Sequence, residues 1–297
     1  DVEMEYMFST WFDVGFLDLR RITWDSPASL IEKLIKYEAV HDIRSWADAK
    51  NRLDADRRFY GFFHPRLPDE PLIFVEVAFT TAMADSITPL LDEEAPPADP
   101  ARCSTAVFYS ISNAQPGLRG VSFGDSLIKR VVDTLKAELP RLKVFSTLSP
   151  IPGLRSWLTE QAPTLLERTA PKQRAELARA LKPAPLGAES VLAALEDPAA
   201  LDASSPLRQW LMQCGAVYLG REMADGKPRD AVARFHLGNG ARVERINWAA
   251  DLSAKGQRQS LGLMVNYLYD LRRLDRHRSQ LAQGRIPVSS AVEALLF

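Results

Sequence analysis

The sequence predicts an α/β fold, an open sheet with helices packed on it. Three observations lead there. Residues 105–150 read strand, loop, helix, strand, a crossover unit that favours neighbouring strands in one sheet. The run "EPLIFVEVAFT" at 70–80 is too continuously apolar for a half-exposed strand and reads as a central one. The chain has 297 residues, 46% of them hydrophobic, which gives room for a sizeable core in one large domain or two small ones.

The elements follow in order. "TWDSPASLIEKLIKYEAV" reads as a helix, with Ser26 as N-cap, Pro27 at the first helical position, and Leu30, Ile31, Leu34 and Ile35 on one face. "RRFYGFFHP" is a strand, followed by the central strand above. Residues 92–102, rich in proline and acid, form a surface loop before the strand "TAVFYSIS". A helix from Asp125 lines up Leu127, Ile128, Val131, Val132, Leu135 and Leu139 along one stripe. "LKVFSTLSP" is the next strand, stopped by Pro-Ile-Pro-Gly. Residues 163–223 read as several short helices. "AVARFHLGNGARVERINW" is expected to return to strands, with Asn239-Gly240 as a hairpin turn. "SLGLMVNYLYDLRRL" and "SSAVEALL" are expected to close the chain as helices. Trp157 and Trp248 read as core residues.

Charge and cysteine content narrow the function classes. A formal net charge of -1 gives no electrostatic reason to expect nucleic acid as partner. Cys103 and Cys214 are the two cysteines and form no CxxC, which argues against a disulfide framework or a zinc site and for a reducing compartment. No apolar run reaches the length of a membrane span. Cytoplasm is the default compartment, and the Ala- and Arg-rich composition suits a bacterial source.

The loop between the 105–112 strand and the next helix is the first candidate site. Gly117, Gly120 and Gly124 let the backbone approach a ligand closely, Arg119 brings a guanidinium, and a helix N-terminus with unpaired N–H groups follows. A diphosphate suits that combination. A glycine-rich connection holding nothing is the alternative for the loop taken alone, since it matches neither the P-loop nor GxGxxG. Gly120-Val121-Ser122-Phe123-Gly124 also spells GxSxG, the nucleophile elbow of serine hydrolases. An elbow turns directly off its strand, however, and here residues 113–119 intervene. The order of acid and histidine is also poorly met, because His236 precedes Asp251.

Several long strings together resemble malonyl-CoA decarboxylases: "FYSISNAQPGLRGVSFGDSLIKRVV", "VFSTLSPIPGL", "FHLGNGARVERINWAADLS", "GLMVNYLY", "WFDVGFLDLRRITWDSP" and "EPLIFVEVAFT". The resemblance covers most of the chain in order. It implies a catalytic domain over 1–297 of the GCN5-related N-acetyltransferase type, an α+β arrangement with a mixed sheet flanked by helices and a helical insertion at about 155–223. A helical N-terminal domain used for oligomerisation in the family is expected to be largely absent, in keeping with a chain that starts at Asp1. The implied reaction turns malonyl-CoA into acetyl-CoA and carbon dioxide without metal or organic cofactor. The implied partners are these acyl-CoAs and further copies of the chain, as a homo-oligomer expected to be a tetramer, with neither nucleic acid nor membrane.

The same resemblance assigns the acyl-CoA contacts to Arg119, Gly120, Val121, Ser122, Phe123, Gly124 and Asp125. By charge, Asp125 is better suited to capping the helix than to touching phosphate. Ser149 matches the family's catalytic serine and His236 its proton donor. Read alone, Ser149 is a serine ending a strand before proline, and His236 a strand histidine that titrates near neutrality. His64, in "FFHPR", competes with His236, and only the resemblance selects between them. His41 and His277 are read as solvated, in charged helical surroundings. Asn266 and Tyr267 are weaker candidates for the acyl pocket. Two other functions fit the same residues: an acyl-CoA-dependent N-acyltransferase, and a non-catalytic acyl-CoA sensor.

Overall fold

The structure, a computed structural model, describes residues 16–114 and 127–296. The chain divides into two units. The first takes residues up to Ala84 together with Thr88–Thr147, and the second takes Asp85–Ile87 together with the chain from Leu148 onward.

The first unit is built on strands β1 (Asp18–Ile22), β2 (Arg57–His64), β3 (Leu67–Thr80), β4 (Thr105–Asn113) and β5 (Val144–Thr147), side by side in that order. The β1/β2, β2/β3 and β3/β4 pairs are antiparallel, while β4 and β5 run parallel. The sheet is therefore mixed, as the crossover pattern requires. Central β3 is buried from Pro71 to Phe79, the burial expected of a strand covered on both faces.

Helices α1 (Ala28–Tyr37), α2 (Trp46–Asn51), α3 (Thr88–Leu91) and α4 (Leu127–Glu138) flank the sheet. Ile31 and Leu34 of α1 pack on Ile22, Phe59, Phe63 and Phe74. Pro27, one residue later than expected, stands at the α1 N-cap, and the Ser26 hydroxyl instead accepts the Thr23 N–H. The predicted stripe of α4 is buried at Leu127, Ile128, Val131, Val132 and Leu135. Beneath α2 lies a buried polar cluster. The Arg52 guanidinium forks onto Asp48 at 2.8 and 3.2 Å, with a Glu76 carboxylate oxygen 3.5 Å away.

The second unit opens with β6 (Ser149–Pro150) and then runs through α5 (Leu154–Arg168), α6 (Pro171–Ala180), α7 (Ala188–Ala194) and α8 (Pro206–Gly220). These helices occupy the stretch read as several short ones. Trp157 is buried there, whereas Trp248 is half-buried beneath the Arg208 guanidinium. The chain continues through the small pair β7 (Met223–Ala224) and β8 (Lys227–Pro228), then α9 (Ala231–Gly238), β9 (Arg242–Asn247), α10 (Ala254–Ser260), β10 (Met264–Leu268), α11 (Leu274–Ala282) and α12 (Ser290–Glu293). Strand β10 lies between β9 and β6, antiparallel to both.

Three expectations are corrected in this unit. Residues 231–238, expected as strand, are helix α9. Asp230 caps its first turn, accepting the N–H groups of Val232 and Ala233 at 2.9 and 3.0 Å. Asn239-Gly240 closes the helix instead of a hairpin: the Gly240 N–H bonds back to the Leu237 carbonyl and the Ala241 N–H to that of His236. Gly240 has φ +87°, and a Cβ there would come within 2.9 Å of the Leu274 carbonyl oxygen, so the position demands glycine. "MVNYLY", expected within a helix, is strand β10, because Leu261 at φ 53° and Gly262 at φ 80° end α10 first.

Both cysteines are buried free thiols, Cys103 in the first unit and Cys214 in the second. Among the described residues no helix is long and apolar enough to cross a membrane.

Candidate active site

Ser149 begins β6, opposite Val265 of β10. His236 sits in the last turn of α9. The two meet: the Ser149 Oγ lies 3.2 Å from His236 Nε2, and the other ring nitrogen, Nδ1, lies 2.7 Å from the Tyr269 hydroxyl. The imidazole stacks on the Tyr267 ring at 4.7 Å between centroids and 25° between planes, with the Phe235 and Tyr269 rings at its edges. Ser149 and His236 are 5% and 4% exposed, so the pair is packed among aromatic rings nearly out of reach of water.

Burial sets the protonation states. It pushes His236 down to about 3, well below the neutral-pH titration expected from the sequence, because the low-dielectric surroundings penalise the imidazolium. It pushes the Tyr267 and Tyr269 hydroxyls up, keeping both protonated. The imidazole is therefore neutral, with two hydrogen-bond patterns open to it. Either Tyr269 donates to Nδ1 and Nε2–H donates to Ser149, or Nδ1–H donates to Tyr269 and Nε2 accepts the Ser149 hydroxyl.

The backbone holding these groups is cross-braced. The Asp230 Oδ1 caps α9, while its Oδ2 accepts the Gly153 N–H and the Tyr218 hydroxyl, each at 3.4 Å. Gly153 follows Ser149 by four residues, so one carboxylate ties the helix of His236 to the turn after Ser149. Burial, the leading cause, raises the Asp230 carboxyl against the hydrogen bonds that favour its charge. A Cβ on Gly153 would lie 2.2 Å from the Tyr218 oxygen, which leaves no room for a side chain.

The family model described as "Malonyl-CoA decarboxylase C-terminal domain" matches residues 15–297. The chain belongs to the malonyl-CoA decarboxylase family. It is 40% identical to "Malonyl-CoA decarboxylase, mitochondrial" from Anser anser anser over 277 residues, covering 90% of this chain and 55% of that protein. The match to the Rattus norvegicus protein of the same name is also 40% identical, over 280 residues, covering 90% of this chain and 56% of that one. The chain thus spans little more than half the length of these curated relatives. Crystal structures of malonyl-CoA decarboxylase from Cupriavidus metallidurans and Agrobacterium vitis superpose with a TM-score of 0.88 each. Their identities are 49% and 44%, and each comparison covers 100% of this chain and 71% of the other.

In this family member, the structure brings Ser149, His236 and Tyr267 together, while Asn266 falls on the opposite side of β10. There its Oδ1 accepts from Arg245 Nε at 3.0 Å and Asn247 Nδ2 at 2.9 Å. Arg119, Gly120, Val121, Ser122, Phe123, Gly124 and Asp125 lie outside the described residues, as does the GxSxG reading. His64 ends β2 in the first unit, where its Nδ1 accepts the Arg66 N–H at 3.1 Å. His41 and His277 are buried, not solvated. The His277 Nδ1–H donates to the Gly240 carbonyl at 2.9 Å, and burial, its leading cause, lowers the ring's affinity for a proton.

Tyr269 and Asp230 are the residues that the sequence reading missed. Tyr267 and Tyr269 share one face once "MVNYLY" is read with a period of two, and the helical reading hid that. Asp230, three residues before Ala233 and ten before Gly240, was a usable start-and-stop signal for α9.

Proposed function

We propose that this chain decarboxylates malonyl-CoA, releasing carbon dioxide and leaving acetyl-CoA, at the Ser149–His236 pair. The observation that supports this most is the buried Oγ···Nε2 contact of 3.2 Å, backed by Tyr269 on the far ring nitrogen, in a chain of this family. A bare serine–histidine contact also suits nucleophilic hydrolysis. The family favours acid catalysis instead, with the resting ring neutral and protonated only when the substrate carboxylate is bound.

The bond from C2 to the carboxyl carbon breaks, and its electron pair delocalises into the thioester as an enolate. C2 then takes one proton, so each turnover consumes one proton from solvent. The thioester itself is the electron sink, and the reaction therefore draws on coenzyme A as part of the substrate without a resident cofactor. Binding brings the malonyl carboxylate beside His236, and that negative charge favours protonation of the ring. The imidazolium then donates Nδ1–H to Tyr269 and Nε2–H to Ser149, whose own hydroxyl points its proton at the acyl group.

Departure of carbon dioxide moves the charge onto the enolate, and burial drives His236 back to the neutral form. A low intrinsic pKa thus makes the ring a strong acid at the moment it is needed. Proton donation of this kind is worth roughly two to four decades in rate, and one aimed donor to the enolate oxygen about 3 kcal/mol.

By family resemblance the acyl-CoA contacts fall to Arg119, Gly120, Val121, Ser122, Phe123, Gly124 and Asp125, with the diphosphate on the glycine amides and Arg119, and Asp125 better suited to capping the helix. The homo-oligomer, a tetramer by family resemblance, and a cytoplasmic setting complete the proposal. Light scattering on the purified chain tests the first and cell fractionation the second.

The deciding experiment incubates the chain with malonyl-CoA and no amine. Equal amounts of acetyl-CoA and carbon dioxide are expected. Release of free coenzyme A with malonate left intact would instead mark a hydrolase or acyltransferase, and binding without turnover a sensor.

A further inference from the structure

Away from Ser149 and His236, the second unit carries a solvent-open cavity of about 450 Å3 whose walls are markedly basic. Arg273, Arg276 and His277 reach it from the start of α11, Arg242 from β9, Arg221 from the end of α8, and Arg285 from the segment after α11. Helical spacing explains one wall, because positions 273, 276, 277 and 280 fall on a single face of α11. The opposite wall is fixed by strand-like pairing. The Val243 N–H donates to the Pro287 carbonyl and the Ser289 N–H to that of Val243, which fixes the 286–288 segment beside β9.

The charges do not balance locally. Arg221 pairs with Glu293 at 3.1 Å, Arg242 with Glu244 at 2.5 Å and Arg273 with Asp270 at 3.4 Å. Arg285 reaches only the Gln283 amide oxygen, at 2.8 Å, and Glu293 is the one carboxylate among the residues that line the cavity. His277 completes the wall as a neutral ring, its Nδ1–H committed to the Gly240 carbonyl and burial opposing a second proton. Arg276 and Arg285 thus face the cavity with no carboxylate of their own among the described residues, beside three guanidiniums that carry one each, and the guanidinium fork matches phosphate oxygens in pairs.

The geometry points to a binding site for a small organic or inorganic polyphosphate in this cavity, separate from the Ser149–His236 pair and serving as an effector site. The volume falls within the ordinary range for small-molecule pockets. The excess of guanidinium over carboxylate selects an anion carrying several charges. Arginine clamps select phosphate because each phosphoryl group accepts two parallel hydrogen bonds.

The test is calorimetric titration of inorganic tripolyphosphate into the full chain, with coenzyme A at saturation so that any phosphate site on the 113–126 loop is already filled. One saturable site is expected. In Arg276→Ala/Arg285→Ala it should weaken at least about tenfold, the loss expected for removing charge-assisted hydrogen bonds. The variant should keep its circular-dichroism melt and its turnover of malonyl-CoA without effector, since neither side chain touches Ser149 or His236. Should that pair of changes impair folding, the single change Arg276→Glu at an exposed position gives the same readout. No saturable binding at millimolar tripolyphosphate, or binding of equal strength in the variants, would overturn the site. If the chain failed to bind coenzyme A, the wild type would show a second tripolyphosphate site that the variants retain. The failure of the proposed function would thereby be told apart from the failure of this one.

Discussion

The Asp230 carboxylate receives the backbone N–H of Gly153, so the residue that starts the helix of His236 also grips the turn that follows Ser149. Its other oxygen holds two amides of the α9 first turn. Asp230→Ala removes both functions. A lost N-cap costs about 1 kcal/mol, and the stranded amides and Tyr218 hydroxyl add to that. We expect a fall in urea stability of about 2 kcal/mol and a drop in kcat of roughly tenfold or more, with a smaller change in KM. Asp230→Asn, which caps equally well, should recover most of the stability. Equal kcat in the alanine variant and the wild type would show that the brace does not position His236.

Tyr269→Phe isolates the other support. The ring keeps its packing, but Nδ1 of His236 loses its partner inside a buried site. A hydrogen bond to a charged group contributes roughly 1.5–3 kcal/mol. Steady-state kinetics should therefore show kcat lower by about ten- to a hundredfold, with KM nearly constant. A change confined to KM would move Tyr269 from proton handling to substrate binding.

Acid should destabilise the chain through His236. Its pKa is about 3 when folded against 6.5 as an unperturbed group, so the unfolded state binds the extra proton between those values. Stability is then complete above pH 6.5 and falls as pH drops toward 3, by about 1.4 kcal/mol per pH unit within that window. His277, also lowered, acts with the same sign. Urea midpoints measured from pH 7 to pH 5 should decline, and the decline should be shallower in His236→Gln. An identical slope in the two proteins would mean that the buried imidazole is not the titrating group.

Arg52 in the first unit is 1% exposed, with its fork on Asp48 and Glu76 behind it. Against the cost of burial, Glu76 and Asp48 hold its charge firmly. Arg52→Leu strands the buried Asp48 carboxylate, which also accepts the Arg44 N–H. The expected loss is about 3–5 kcal/mol by chemical denaturation. Replacing exposed Arg221, which pairs with Glu293 at the surface, should cost about 1 kcal/mol or less.

Sheet strands were easier to read than the site's own supports. The apolar runs of β2, β3 and β4 and the stripe of α4 carry single, strong periodicities, and each forms where its pattern points. Around the site two signals competed. "HLGNG" holds both a hairpin dipeptide and a helix stop, and the Asp230 cap upstream decided for the helix. "MVNYLY" suits either period, and the left-handed Leu261 and Gly262 decided for the strand. His277 was misjudged for a different reason. Its arginine neighbours in sequence do predict exposure, but the ring turns to the Gly240 carbonyl, a contact 37 residues away that no local pattern encodes. Ser149 and His236 are 87 positions apart, and only family resemblance could pair them in advance.

The two buried thiols give the molecule a pair of internal clocks. Burial raises the pKa of both Cys103 and Cys214, so neither reacts until its surroundings open, and each belongs to a different unit. The pace at which an alkylating reagent marks each sulfur therefore times the opening of that sulfur's own surroundings, with no foreign label introduced.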